Sequence, residues 1–195
     1  MSTMTIYGDP ISGNCLKVKW TADRLALPYR WIDVAVTKGE TRTPQFLAVN
    51  PTGQVPAVIL ADGRTLSQSN AIILHLAEDS DLIPADAYAR AKMYEWMFWE
   101  QYSHEPYIAV RRFFKTYLNR DDADIDPKLL VRGKAALTRM EGALAASPFF
   151  VGDALSLADI ALVAYTRVAP EGGFDLAEYP VVQAWVGRVE GELGL

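Results

Sequence analysis

Apolar and polar residues follow two different rhythms along this chain, and the change falls near residue 85. Before it, short apolar and β-branched runs read as strands at Thr3–Tyr7, Tyr29–Val34, Ala57–Leu60 and Arg64–Leu66. Helical spacing separates them: Val18, Ala22, Leu25 and Ala26 mark a helix over Asn14–Ala26, with shorter helices over Pro44–Val49 and Ser69–Ala77. Gly8-Asp9-Pro10 stops the first strand, Leu27-Pro28 ends the first helix, and Asp62-Gly63 signals a hairpin. The order is β-α-β-α-β-β-α, with the polar stretch Thr37–Thr43 left as a connection. Beyond Pro84 only the helical period remains. It predicts a long segment over Ala87–Leu118 bent near Pro106, and a helix opened by Asp126-Pro127 and running to about Ala146. A third helix is opened by Ser156-Leu157-Ala158-Asp159 and a last one runs from Pro180 to about Leu193, with Pro170–Tyr179 a loop. The expected organisation is an α/β domain over 1–79, a linker over 80–86 and an all-helical domain over 87–195.

Composition narrows the function classes. The 195 residues are 50% hydrophobic and 22% charged, an ordinary globular balance that suits one large or two small domains. The net charge of −5 argues against a nucleic-acid partner, which needs clustered Lys and Arg. Cys15 is the one cysteine, so no internal disulfide and no Cys-x-x-Cys dithiol exist. With only His75 and His104 besides, no metal is expected. The first residues carry no basic and apolar leader, and no apolar run approaches the roughly 20 residues that span a bilayer. A cytoplasmic protein with no membrane association is the expectation.

Three segments hold candidate chemistry. Pro10-Ile11-Ser12-Gly13-Asn14-Cys15 lies where a strand passes into a helix. A helix N-terminus offers free N–H groups and partial positive charge, which favour an anion such as a thiolate. Ser12 and Asn14 serve equally well as simple helix caps. In Asn50-Pro51-Thr52-Gly53-Gln54-Val55-Pro56, Pro56 directly precedes an apolar strand, where its missing N–H would cost a ladder bond. A cis Val55–Pro56 bond would expose the Val55 backbone to an extended peptide; a trans proline at a strand start is the simpler alternative. Gln68-Ser69-Asn70 opens a helix after the hairpin and suits a carboxylate, or else Ser67 or Ser69 merely caps it. All three fall at one end of a small sheet, where ligands collect in open α/β folds.

With these segments assembled, the chain resembles the cytosolic glutathione S-transferases of bacterial type over essentially its whole length. The resemblance is carried by Ser12-Gly13-Asn14-Cys15-Leu16-Lys17-Val18, by Asn50–Val58, by Leu66-Ser67-Gln68-Ser69-Asn70-Ala71-Ile72, and by Phe150-Val151-Gly152-Asp153 with Ser156–Ala161. It implies a thioredoxin-like N-terminal domain (βαβαββα), a C-terminal helical bundle and a homodimer. Glutathione is then the cosubstrate, and its thiolate attacks a small hydrophobic electrophile. Disulfide or peroxide reduction at the same site, or ligand binding without turnover, are the alternatives. The resemblance assigns the thiolate contact to Ser12, ahead of Asn14, Cys15 and then Tyr7. It assigns the cysteinyl backbone pairing to Val55 before Pro56, and the γ-glutamyl end to Gln68 and Ser69. The glycyl arm falls to Gln54, with Arg42 or Lys38 neutralising its carboxylate.

The stretch Tyr94–Tyr102, continued by Tyr107, Phe113 and Phe114, is unusually aromatic. Most of it reads as helix core and subunit interface, with Tyr102, Tyr107 and Phe114 as candidates for a second-substrate pocket. His104 and Glu105 read as a polar pair across a subunit contact or a solvated face, and His75 as a structural or surface residue. Asp159 is structural by its place in the capping box.

Overall fold

The computed structural model describes residues 3–195; Met1 and Ser2, part of the stretch read for a leader, lie outside the described residues. They divide between two compact units, one ending at Ser80 and the other spanning Asp81–Leu195.

In the first unit β1 (Met4–Gly8), α1 (Gly13–Arg24) and β2 (Tyr29–Asp33) form a parallel β-α-β unit. The short α2 (Pro44–Val49) begins at a proline, and the Thr43 hydroxyl accepts from the Phe46 N–H at 3.3 Å. Strand β3 (Ala57–Ile59) runs antiparallel to β1, β4 (Thr65–Ser67) antiparallel to β3, and α3 spans Ser69–Leu76. The sheet order is β2-β1-β3-β4. The element order is the β-α-β-α-β-β-α that the pattern predicts, and the fold is the thioredoxin-like one that the resemblance implies. The polar connection after β2 differs from expectation. It folds as two 3-10 turns, Val36–Lys38 and Glu40–Arg42, with Gly39 between them at a φ of 76°, a left-handed conformation that needs glycine.

Side chains alternate across β1 and set its two faces. Gly8 faces α1: a Cβ there would lie 3.1 Å from Cys15 Cβ and 2.3 Å from the Trp31 ring. Tyr7 faces the other way, edge-on to Phe46 of α2 at 6.1 Å between ring centres, in a cluster with Val34 and Ala57. Ile6 pairs with Val58 at the centre of the sheet, and Val18, Ala22, Ile72 and Ile73 of the mutually packed α1 and α3 are buried.

The second unit is helical. The long segment predicted over Ala87–Leu118 is interrupted: α4 (Ala87–Trp99) passes through a π-helical turn, Glu100–His104, into α5 (Glu105–Thr116). Pro106 explains the break, since it has no N–H to give and its ring crowds the carbonyl one turn back; the widened turn absorbs both. His104 is buried in this turn, and its Nε2 lies 2.9 Å from Thr166 Oγ1. Thr166 Oγ1 already donates to the Leu162 carbonyl at 2.7 Å, so Nε2 carries the proton. His104 is thus tied to Thr166 within its own unit and is not on a solvated face. α6 spans Pro127–Leu144, α7 Leu157–Thr166 and α8 Pro180–Leu193. Every residue of α7 is buried, as befits a helix apolar on all sides. The expected loop Pro170–Tyr179 holds two 3-10 turns, Ala169–Gly172 and Leu176–Glu178. Two buried arginines of α5 pin the first: Arg111 Nε donates to the Gly172 carbonyl at 2.7 Å and Arg112 Nε to Glu171 Oε2 at 2.6 Å. No helix among the described residues is long and apolar enough to cross a membrane.

Candidate functional site

Strand register brings the three candidate segments to one end of the sheet. Tyr7 lies opposite Ala57, and Ala57 opposite Ser67, in one row across β1, β3 and β4. The chain leaves that row toward Ser12, enters it from Val55–Pro56 and leaves it again toward Gln68–Ser69.

The β1–α1 loop is built by Asp9. Its carboxylate accepts from the Ile11 N–H at 3.0 Å, and its carbonyl from the Ser12 N–H at 3.2 Å. Ser12 is the N-cap residue of α1, yet its side chain makes no cap bond. The hydroxyl bonds the Cys15 sulfur instead, which also accepts from the Asp9 N–H at 3.3 Å. Cys15 is fully buried. Burial pushes its thiol up from 9.0 to about 12, outweighing the hydrogen bonds from Ser12 and Asp9 that pull it down. A nucleophilic cysteine needs an accessible, acidified thiol, and Cys15 has neither property. Tyr7 is directed toward α2, on the face of β1 opposite Cys15.

Asn14 does not cap α1 with its side chain either. Its Oδ1 accepts from Lys17 Nζ at 2.8 Å and from Ser69 Oγ at 3.1 Å, the latter across 55 residues of chain. This bond joins the first candidate segment to the third. Ser69, buried, is the first residue of α3, and Gln68 before it is exposed with a φ of 71° and a ψ of 111°. Such a backbone costs a non-glycine residue roughly 1–3 kcal/mol and clusters at ligand sites.

The Val55–Pro56 bond is cis. The turn before it is organised by Asn50, whose amide donates to the Gln54 carbonyl at 2.7 Å and accepts from the Thr52 N–H and hydroxyl at 3.2 and 3.0 Å. Arg42 lies over this turn: Nη1 donates to the Thr52 carbonyl at 3.2 Å, and a Cβ on Gly53 would stand 2.3 Å from it. Arg42 is thereby held beside Gln54, and both are exposed. Lys38 is exposed on the turn Val36–Lys38.

Residues 11–79 match the family model of the glutathione S-transferase N-terminal domain, and residues 97–192 that of the C-terminal domain. The chain belongs to the glutathione S-transferase family. This transferase-family chain is 31% identical over 197 residues to Glutathione S-transferase 3 of Zea mays, covering 95% of its own length and 88% of that protein. It is 29% identical over 184 residues to the disulfide-bond oxidoreductase YfcG of Escherichia coli, covering 89% and 84%. A crystal structure of a glutathione S-transferase from Pseudomonas fluorescens superposes with a TM-score of 0.93 at 48% identity, over 97% of this chain and 95% of that one. A glutathione transferase homologue from Sulfitobacter, solved with bound glutathione, superposes at 0.83 with 25% identity, over 97% and 93%.

The second-substrate candidates of this transferase-family chain fall on α5 and the turn before it. Tyr102 is 83% exposed, while Tyr107 and Phe114 are half-buried, with the Arg120 guanidinium 4.7 Å over the Phe114 ring. Of the aromatic stretch, Trp96 is buried against Phe150 at 4.5 Å, whereas Tyr88 and Phe98 stand 74% and 75% exposed. His75 is exposed. Sequence reasoning missed Asn50 and Lys17. The Asn-Pro-Thr-Gly turn signal contains the first; nothing local marks a lysine as buried.

Proposed function

We propose that this chain is a glutathione transferase whose site is built from the Ser12, Val55–Pro56 and Gln68–Ser69 segments. The single row Tyr7–Ala57–Ser67, which brings those segments together, is the observation that carries it. When bound, glutathione supplies the nucleophile, the sulfur of its thiolate. Ser12 holds that sulfur by turning its hydroxyl from Cys15, and the α1 N-terminus adds partial positive charge; both favour the thiolate. The Val55 backbone pairs with the cysteinyl residue. Ser69, the Gln68 side chain and the first N–H groups of α3 take the γ-glutamyl end. Gln54 and Arg42 take the glycyl arm, a role supported by the hold of Arg42 on the Thr52–Gly53 turn. The protein contributes a stabilised nucleophile and proximity, and Cys15 takes no part in bond making.

A second reading, glutathione-dependent reduction of disulfides, is favoured by the similarity to YfcG. Parallel assays of aryl-halide conjugation and mixed-disulfide reduction separate the two. Replacing Ser12 by Ala should raise the pKa of the bound thiol, read by thiolate absorbance. An unchanged titration transfers the role to Asn14, and absence of glutathione binding by calorimetry refutes both readings. Homodimer formation fits the exposed Tyr88, Phe98 and Tyr102 along α4 and the turn after it, a stripe a second copy would cover. Light scattering giving a monomeric mass would refute it.

A further inference from the structure

We propose that Lys17 is a positioning residue of the site: through Asn14 it fixes the contact between α1 and α3, and it sets a buried positive charge at the mouth of α1. This rests on the glutathione reading above. Lys17 is fully buried on α1, an expensive place for an ammonium. One of its hydrogen bonds goes to Asn14 Oδ1 at 2.8 Å, and the Ser69 hydroxyl donates to the same oxygen at 3.1 Å. A lysine has donors and no acceptor, so the pairing leaves the Asn14 amide a single orientation, oxygen toward Lys17 and NH2 turned away. Removing the ammonium frees that amide to flip and loosens Ser69, on the opposite segment of the site.

The charge also reaches the place where the sulfur is held. The Ser12 hydroxyl bonds the Cys15 sulfur, and at that sulfur Lys17 pulls the thiol down while the Asp9 carboxylate pushes it up. Among the elements packed on α1, β1 brings only Tyr7 as a titratable group, and it faces Phe46. α3 brings only His75, which is exposed. Lys17 therefore sets positive charge against Asp9 at the mouth of α1, where an anion would arrive at Ser12.

The test uses the full-length protein with Lys17 replaced by Met, which keeps the apolar stem. Thiolate absorbance of bound glutathione is titrated, with conjugation rate and affinity measured alongside. The thiolate fraction at neutral pH should fall about tenfold and the rate with it, both recovering as pH rises. Lys17→Arg, which restores the charge, should regain most of the loss. A purely structural lysine would lower the melting temperature and leave the titration in place. A folded Lys17→Met protein that binds glutathione with an unchanged thiol titration overturns the proposal. Should that variant fail to fold, Lys17→Gln, which keeps a donor for Asn14 without the charge, faces the same two outcomes. Wild-type protein that binds no glutathione overturns the functional reading and this proposal with it, a result the variants alone cannot produce.

Discussion

Asp159 is the residue whose loss should damage the fold most. Its carboxylate is fully buried and accepts four hydrogen bonds. Oδ1 takes the Phe150 N–H at 3.0 Å and the Trp185 indole N–H at 2.9 Å; Oδ2 takes the Ser156 N–H at 3.0 Å and the Ser156 hydroxyl at 2.9 Å. One side chain thus closes the capping box of α7, fastens the Phe150 loop and anchors α8. Replacing it with Ala strands these donors, at about 1–3 kcal/mol for each that finds no water. Against this, the variant no longer buries a carboxylate, whose desolvation opposes the four bonds strongly enough to hold the carboxyl above its ordinary range. The difference should resemble the breaking of a buried charged network, about 3–5 kcal/mol. With roughly 2.1 cal/mol/K of unfolding entropy per residue, that lowers the melting temperature by about 10 °C if both units unfold together and about 17 °C if Asp81–Leu195 unfolds alone. Urea titration followed by circular dichroism measures the loss. A double-mutant cycle with Trp185→Phe should show coupling of about 1–2 kcal/mol, because removing the indole N–H removes one stranded donor. A melting temperature within about 2 °C of wild type, or additive variants, would refute the hub.

Three other perturbations probe the first unit. The Cys15 thiol, raised by burial from 9.0 to about 12, keeps its proton after the unfolded chain has lost one, so stability should fall as pH rises through that window. Urea titrations at ~pH 8 and ~pH 10 should show a loss of about 1.4 kcal/mol beyond that of Cys15→Ala. Equal losses would show that the thiol titrates normally. Gln68→Gly relieves the positive φ and should leave the melting temperature unchanged or raise stability by up to about 1 kcal/mol, while weakening glutathione binding. A lower melting temperature would mean that the backbone there is unstrained. Gly53→Ala places a Cβ 2.3 Å from Arg42 Nη1 at a φ of 64°, and should cost about 1–2 kcal/mol in urea. Calorimetry should show weaker binding of glutathione but not of γ-glutamylcysteine, which lacks the glycyl carboxylate; equal losses on both ligands would free Arg42 of its role.

Where an element is delimited by local chemistry, its ends were readable from the chain alone. Proline at the first turn and a definite stop place α2 over Pro44–Val49, and Pro180 likewise opens α8. The segment Ala87–Leu118 shows the limit. Its apolar spacing continues through Glu100–His104, and Pro106 announces a disturbance without saying which turn will absorb it. That choice depends on seating His104 against Thr166, 62 residues away, which no local window contains.

The same division runs through the site. A serine and an asparagine at a helix start look like caps, and only the bonds that their side chains make in the fold show that neither caps α1. Ser12 turns to Cys15, and Asn14 to Ser69 in a segment that strand register delivers. Lys17 is harder still, because a lysine beside the apolar stripe of α1 ordinarily snorkels to water, and this one is fully buried with its ammonium on Asn14. The lone cysteine carries the chemical consequence. With Cys15 buried and its thiol driven up, the chain has no ionisable sulfur of its own at neutral pH. Sulfur chemistry at the mouth of α1 therefore requires a thiol that arrives from outside, delivered by a ligand.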